Sequence, residues 1–351
     1  MTAVEQSPVN IKEEMLGCIP ALQNFELGVL SKPAHELSEN PSRRVDFVGI
    51  GSSHNSILHA RKRAMELSLE SRMGFYQADE YNSKRTNPDS VVILSTNSGN
   101  THEIVDRILP GLLERNIECY AVCGNNEVDD KRPKIAGMLA PDNIYYLHGD
   151  YERTDPANKS VLNQMIVYDA FIHAIAKREF ELGKGKDLTS QVVDQILYNF
   201  NRVIDERIMQ AALRYNTIHF MGHDASLGNE LGLKSYEIAK KPAVYWQGTK
   251  ILHGPFAGIG SGDLILLFNL DLYTREDLAK LWKQASTNAP VIATFEPQDF
   301  GIPSLEAKTT KGFEAYSLLP SGWNLLCKVG LAKGHDINYL HTNGLEKSRQ
   351  E

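Results

Sequence analysis

Short, continuously apolar runs alternate along the chain with longer stretches in which apolar residues recur every three or four positions. In the first half the runs are VDFVGIG (Val45–Gly51), SVVILST (Ser90–Thr96), IECYAVCG (Ile117–Gly124) and NIYYLHG (Asn143–Gly149). Helical spacing occupies Ser53–Leu69, Asn100–Arg115 and a long stretch from about Lys159 to Glu179. Apolar runs that do not alternate with polar residues are what parallel strands need when both faces are covered. In the first helix Ile57, Ala60, Ala64 and Leu67 form one stripe, and Arg61, Lys62 and Arg63 read as its solvated side.

A Gly- and Lys-rich segment, Glu181–Gln191, interrupts this order, and the pattern then restarts. It predicts a helix over Gln191–Arg214, strand TIHFMGHD (Thr217–Asp224) and a helix over Ser226–Lys240. Strands AVYWQG (Ala243–Gly248) and DLILLFNL (Asp263–Leu270) follow, then a helix near Glu276–Ala285. Two more strands, PVIATFEP (Pro290–Pro297) and FEAYSLLP (Phe313–Pro320), close the series. FVGIGSS in the first half lines up with FMGHDAS in the second, each an apolar strand passing through Gly into a Ser that opens a helix. The expected fold is α/β: two three-layer α/β/α sandwiches with parallel sheets, related by internal duplication. Boundaries fall at an extension 1–27, a domain 28–182, a linker 183–190, a domain 191–335 and a tail 336–351. Ligands in such sheets bind at the carboxyl ends of the strands.

Composition narrows the function classes. A length of 351 residues suits about two domains, and 42% apolar with 23% charged residues argues against disorder. Lys plus Arg number 37 against 44 Asp plus Glu, a net charge of −7, so a nucleic-acid partner is not expected. No apolar run approaches the roughly 18 residues of a membrane span. Met1–Glu14 lacks the apolar core of a secretory signal. The expectation is a soluble cytoplasmic protein. Of the four cysteines, Cys119 and Cys123 fall on one strand, about 13 Å apart at ~3.3 Å per residue, too far for a disulfide or a shared zinc. All four read as free thiols in a reducing compartment.

Two turns carry hydroxyls at the expected carboxyl ends. GIGSSHN lacks the third glycine of a dinucleotide fingerprint, since His54 stands there, but it sets Ser52 and Ser53 at a helix start. Those serines either cap the helix or help bind an anion there. The turn in VVILSTNSGNTHEIV places Thr96, Asn97, Ser98 and Thr101 between strand and helix, with no P-loop lysine. Hydroxyls and free N–H groups of this kind suit a terminal phosphate monoester without a metal.

In SLGNELGLKSYEIAK, with Leu227 at zero and about 100° per residue, Lys234 falls near −20°, Glu230 near −60° and Glu237 near −80°. That arc also holds Leu231 and Ile238, whereas Gly228, Asn229, Gly232, Ser235, Tyr236 and Lys240 take the opposite, wet side. The trio is either an exposed ion-pair stripe or a core-bordering set in which a lysine tunes two carboxylates for proton transfer. Sixteen residues beyond Glu237 stands His253 in LHGPF, a group that titrates near neutrality. No His or Cys spacing suggests a metal.

GIGSS, STNSGNT, NELGLKSYE and LHGP resemble, in order and spacing, the paired sugar isomerase (SIS) domains. These form the isomerase half of glucosamine-6-phosphate synthase and the stand-alone aminosugar-6-phosphate deaminases and fructosamine-6-phosphate deglycases. The resemblance runs from about residue 30 to the C-terminus. It implies a flavodoxin-like SIS fold, a phosphosugar substrate, no cofactor, and a homodimer with its active site at the subunit interface. Ser52 and Ser53 match one family turn, and Thr96, Asn97, Ser98 and Thr101 match the phosphate turn. Glu237 matches the base that moves a proton between C1 and C2, with Lys234 and Glu230 as its helix neighbours. His253 matches the ring-opening histidine supplied across the dimer. Lys347, in a tail that lacks the family's Pro-Arg, matches a Schiff-base lysine, and Glu152 and Lys159 match a stretch beside the sugar. The chain starts MTAVEQ with no room for a glutaminase domain before the first strand, leaving isomerisation, deamination or deglycation of a sugar 6-phosphate. A non-catalytic phosphosugar-binding regulator would need only the hydroxyl turns.

Overall fold

The structure, a computed structural model, describes residues 10–124, 133–148, 152, 154, 156–182, 186–214, 216–270, 274–278, 290–296, 301–338, 341–342 and 345–346. The chain divides into two compact units between Thr189 and Ser190.

Unit 1 is built on a parallel sheet of β1 (Val45–Gly49), β2 (Met73–Gln77), β3 (Val91–Thr96), β4 (Cys119–Cys123) and β5 (Ile144–Tyr146), in the order β2-β1-β3-β4-β5. The edge strand β2 escaped the sequence reading: MGFYQ is short and only half-buried. Its helices include α1 (Ile11–Leu16), α2 (Ile19–Gln23), α3 (Ser31–Glu39), α4 (Ser52–Glu66), α5 (Leu109–Glu114), α6 (Lys134–Met138) and α7 (Lys159–Ile175). Side chains alternate across a strand, so β1 and β3 feed two cores. Val45, Phe47, Val91 and Ile93 meet Ile57, Ala60 and Phe171 from α4 and α7. Val48, Val92 and Leu94 meet Ile104, Leu109 and Ile135 on the other face. The predicted helix over 100–115 is a π-helical segment, Glu103–Ile108, running into α5. Between α4 and α7 lies an ionic clamp: Asp169, fully buried, accepts from Arg63 Nε at 3.1 Å and lies 3.0 Å from His59 Nε2. Burial opposes its charge, but His59 and then Arg63 hold the Asp169 carboxyl well below the usual carboxylate range.

In unit 2, β6 (Thr217–Gly222), β7 (Ala243–Gln247), β8 (Asp263–Phe268) and β9 (Val291–Thr294) form a parallel sheet in the order β7-β6-β8-β9. The helix expected over 191–214 is two helices, α8 (Lys186–Asn201) and α9 (Glu206–Arg214), separated at 202–205. α10 (Ala225–Lys234) continues as a π-helical segment, Ser235–Ala239, which ends on Lys240 in the left-handed region at φ 51. FEAYSLLP is not a strand. It opens a helix, Glu314–Ala332, which carries Pro320 inside it and buries Tyr316, Leu318, Leu319 and Trp323. A helix covered on nearly all sides shows no polar alternation, so its apolar run looks like a strand. Residues 274–278 are helical, and the remainder of the helix expected near Glu276–Ala285 lies outside the described residues. His341–Thr342 pairs antiparallel with Leu345–Glu346; Lys347 lies outside the described residues. Among the described residues no helix is long and apolar enough to cross a membrane. The four cysteines are free and buried.

Candidate functional site

In unit 1 the two hydroxyl-bearing turns leave neighbouring strands. β1 and β3 pair in parallel with Gly49 opposite Ser95, so both turns emerge at the carboxyl end of one sheet. The fit around Gly49 is tight: an added Cβ would lie 2.9 Å from Ile57 Cδ1 and 3.2 Å from Ser95 Cβ. The N-cap of α4 is Gly51 at φ 58, and no side chain caps the helix. Ser52 and Ser53 therefore sit inside the first turn, both buried, and not at the cap. Ser53 Oγ accepts from Gln164 Nε2 of α7 at 3.2 Å.

The second turn is held by its own hydroxyls. Thr96 and Thr101 meet through their Oγ1 atoms at 2.7 Å, and Gly99 N donates to Thr96 Oγ1 at 3.2 Å. Asn100 N donates to Ser98 Oγ at 3.1 Å, leaving Ser98 on the exposed rim. Gly99 takes φ 65, and its missing side chain admits Pro133, whose Cβ would stand 2.6 Å from a Cβ there. Gly124 N and Ile135 N donate to the carbonyls of Asn97 and Gly99. Asn97 Nδ2 donates to Glu152 at 3.1 Å, tying the turn to the start of α7. Glu152 is buried and accepts from Asn158 N, Lys159 N and Ser160 Oγ at 2.6, 2.7 and 2.6 Å. The Lys159 ammonium pairs with Glu14 of α1 at 3.0 Å. Lys159 thus joins two helices in the interior, and Glu14 went unnoticed because a lone acid in an N-terminal helix carries no local signal.

Unit 2 holds the ionic trio. Lys234 Nζ donates to Glu237 Oε2 at 2.6 Å and stands 3.2 Å from Glu230 Oε1. Lys234 is wholly buried, the Glu230 side chain is 1% exposed and the Glu237 side chain 14%. The wet arc expected from helical geometry is not found: Gly228, Gly232 and Ser235 are buried, and Tyr236 alone of that set is exposed. Two glycines explain it. A Cβ on Gly228 would lie 2.0 Å from Tyr245 Cδ2, so β7 closes directly onto α10. On another side Gly322 of the Glu314–Ala332 helix admits Leu231, whose Cδ2 would be 2.3 Å from a Cβ there. Lys234 and Glu230 are thus sealed inside the unit, while Glu237 keeps partial exposure. Burial works against the Lys234 charge, yet attraction to Glu230 and then Glu237, with hydrogen bonds to both, raises its pKa above the ordinary lysine value. It stays an ammonium.

The N-cap of α10 is Asp224, not Ser226. Its carboxylate is buried and accepts from Ser226 N, Leu227 N and Ser226 Oγ at 3.1, 3.2 and 2.7 Å. An Asp two residues before a Ser at a helix start is a readable capping signal. His253 stands exposed in the turn after Lys250–Leu252, outside the Glu–Lys–Glu network. Among the described residues no three His, Cys, Asp or Glu side chains are grouped to hold a metal ion.

No family model and no curated protein sequence matches the chain. Solved structures do share its fold. A tagatose-6-phosphate ketose/aldose isomerase from Escherichia coli superposes with a TM-score of 0.71 at 18% identity, over 95% of this chain and 97% of that one. The C-terminal domain of glucosamine-fructose-6-phosphate aminotransferase from Francisella tularensis gives 0.69 at 17% identity, covering 93% and 95%. A glucosamine-6-phosphate deaminase from Thermotoga maritima gives 0.63 at 16% identity, covering 93% and 96%. These SIS-domain phosphosugar proteins are what the chain is similar to in fold.

Proposed function

We propose that the chain is a phosphosugar-converting enzyme that moves a proton between C1 and C2 of a hexose or amino-sugar 6-phosphate, most simply an aminosugar-6-phosphate deaminase or isomerase. Deglycation of a fructosamine 6-phosphate is the alternative that the same groups would serve. The names of the similar structures, ketose/aldose isomerase and deaminase, support this chemistry. The strand order β2-β1-β3-β4 in unit 1 and β7-β6-β8-β9 in unit 2 supports reading the units as duplicated three-layer SIS domains.

One observation carries the assignment: of the two carboxylates on Lys234, Glu230 is sealed at 1% exposure while Glu237 keeps 14%. Only Glu237 can meet a substrate. Glu230 balances the buried ammonium, and the ammonium in turn orients Glu237. Glu237 takes the proton from C2 of the open-chain aldose and returns it to C1, the electron pair passing through an enediol. In a 2-amino sugar the same transfer passes through an enaminol to a C2 imine, which water hydrolyses to ketose and ammonia. In this reading the 96–101 turn, with Ser52 and Ser53, receives the phosphate. His253 opens the ring from the second copy of a cytoplasmic homodimer. Lys347 is the candidate imine-forming amine.

The test is incubation with glucosamine 6-phosphate, fructose 6-phosphate and a 6-phosphofructosyl amino acid while ammonia, aldose and free amino acid are followed. Ammonia from the first supports the deaminase, and free amino acid from the third supports the deglycase. Binding of all three with no product, in wild type and Glu237→Gln alike, would show a regulator and overturn the enzyme reading.

A further inference from the structure

We propose that Glu152 is a positioning residue, an internal anion that sets the phosphate turn before a ligand arrives, and not a group that touches the sugar. This rests on the 96–101 turn being the phosphate site.

A carboxylate offers two oxygens and about four acceptor sites. Oε1 of Glu152 accepts from Asn158 N at 2.6 Å and Lys159 N at 2.7 Å, and Oε2 accepts from Ser160 Oγ at 2.6 Å and Asn97 Nδ2 at 3.1 Å. With 4% exposure, a sugar hydroxyl could reach it only by displacing one of these. Asn158, Lys159 and Ser160 lie at the start of α7, whose own N-cap residue, Asn158, makes no side-chain capping bond. Glu152 therefore caps the helix from outside it, and the free N–H groups and dipole of the 17-residue α7 absorb its charge. This limits the repulsion it would otherwise exert on a nearby phosphate.

The fourth bond is the informative one, because capping does not need it. A carboxylate can only accept, so Asn97 must turn its NH2 group toward Glu152 and its Oδ1 the other way. That oxygen faces Gly124, where an added Cβ would lie 2.5 Å from it, and Gly124 N donates to the Asn97 carbonyl at 3.0 Å. One amide orientation is thereby selected at the centre of the turn. The Thr96–Thr101 hydroxyl pair and Ser98 flank in the chain a residue whose amide is held in one orientation.

Inorganic phosphate titrated calorimetrically into the full-length wild type, Glu152→Gln, Asn97→Ala and the double variant tests this. Glu152→Gln is isosteric and can still accept from Asn158 and Lys159, but its own NH2 opposes that of Asn97. The phosphate Kd should rise about tenfold while the melting temperature moves little. Asn97→Ala, which leaves the helix cap intact and covers the case of a poorly folded Glu152 variant, should raise Kd by the same factor. The double variant should be no worse than either, since the two act as one unit. Equal affinity in Glu152→Gln and wild type, or losses that multiply in the double variant, would overturn the proposal alone. A wild type that binds no phosphate would overturn the phosphate-site reading and this proposal with it.

Discussion

Lys234 Nζ lies 2.6 Å from Glu237 Oε2, and the lysine has no exposed surface at all. A cation this deep is tolerated because a second carboxylate, Glu230, stands 3.2 Å away. Removing one member of such a set leaves an uncompensated buried charge, at a cost of about 3–5 kcal/mol. Lys234→Met should therefore lower the melting temperature by roughly 10 °C. Adding Glu230→Leu to it should recover part of that loss, because the sealed carboxylate is then gone and only the partly exposed Glu237 is left without its cation. Thermal unfolding followed by circular dichroism checks both. A single variant as stable as wild type would mean the carboxylates are not held by Lys234.

Two glycines on α10 should respond to alanine with opposite signs. A Cβ on Gly228 meets Tyr245 Cδ2 at 2.0 Å, while a Cβ on Gly232 meets nothing within 4 Å. Gly232→Ala should stabilise by about 0.5–1 kcal/mol, the backbone entropy a helical glycine forfeits. Gly228→Ala should destabilise despite the same propensity gain, because the Tyr245 ring has to move. Denaturant midpoints at constant slope measure both.

The clamp at Asp169 should make unit 1 acid-labile. Its folded pKa lies below its unfolded value near 3.9, so its stabilisation is fully present above about pH 4–5 and fades as pH falls toward the folded value. Melting temperatures taken from pH 7 to pH 3 should drop more steeply for wild type than for Asp169→Asn. The variant should be the less stable at pH 7. Parallel curves would show that Arg63 and His59 do not hold this carboxylate.

Burial pushes the thiols of Cys18 and Cys123 up to about 12 and that of Cys119 to about 11. Thiolate is the reactive form. At pH 8 the native protein should react with a thiol-specific disulfide reagent only on the timescale of unfolding. In guanidinium all four cysteines should react at once. A rapid stoichiometric burst from the native state would contradict the burial.

Much of the scaffold was legible because burial on both faces leaves a mark in one dimension. VVILST and DLILLF read as strands and are β3 and β8. The hydroxyl turn was legible too, since the four hydroxyls of Ser95, Thr96, Ser98 and Thr101 exceed what one helix cap uses, and Asn97 and Thr101 do sit in one hydrogen-bonded turn. The readings that failed were those in which a neighbour far along the chain decides. FEAYSLLP is apolar enough for a strand, and only its packing on α10 makes it a helix.

Most of the buried strands and their helices, the places where hydroxyls gather, and the spacing of Glu230, Lys234 and Glu237 belong to the sequence, because periodicity and turn chemistry are local properties. Which of those carboxylates stays reachable belongs to the tertiary structure. Tyr245 packs onto Gly228 and Leu231 onto Gly322, and in the folded unit Lys234 and Glu230 are buried while Glu237 keeps partial exposure. The bond between Asn97 and Glu152 joins residues 55 positions apart. Burial and charge pairing are set by what the rest of the chain brings into contact, and no window along it contains that contact.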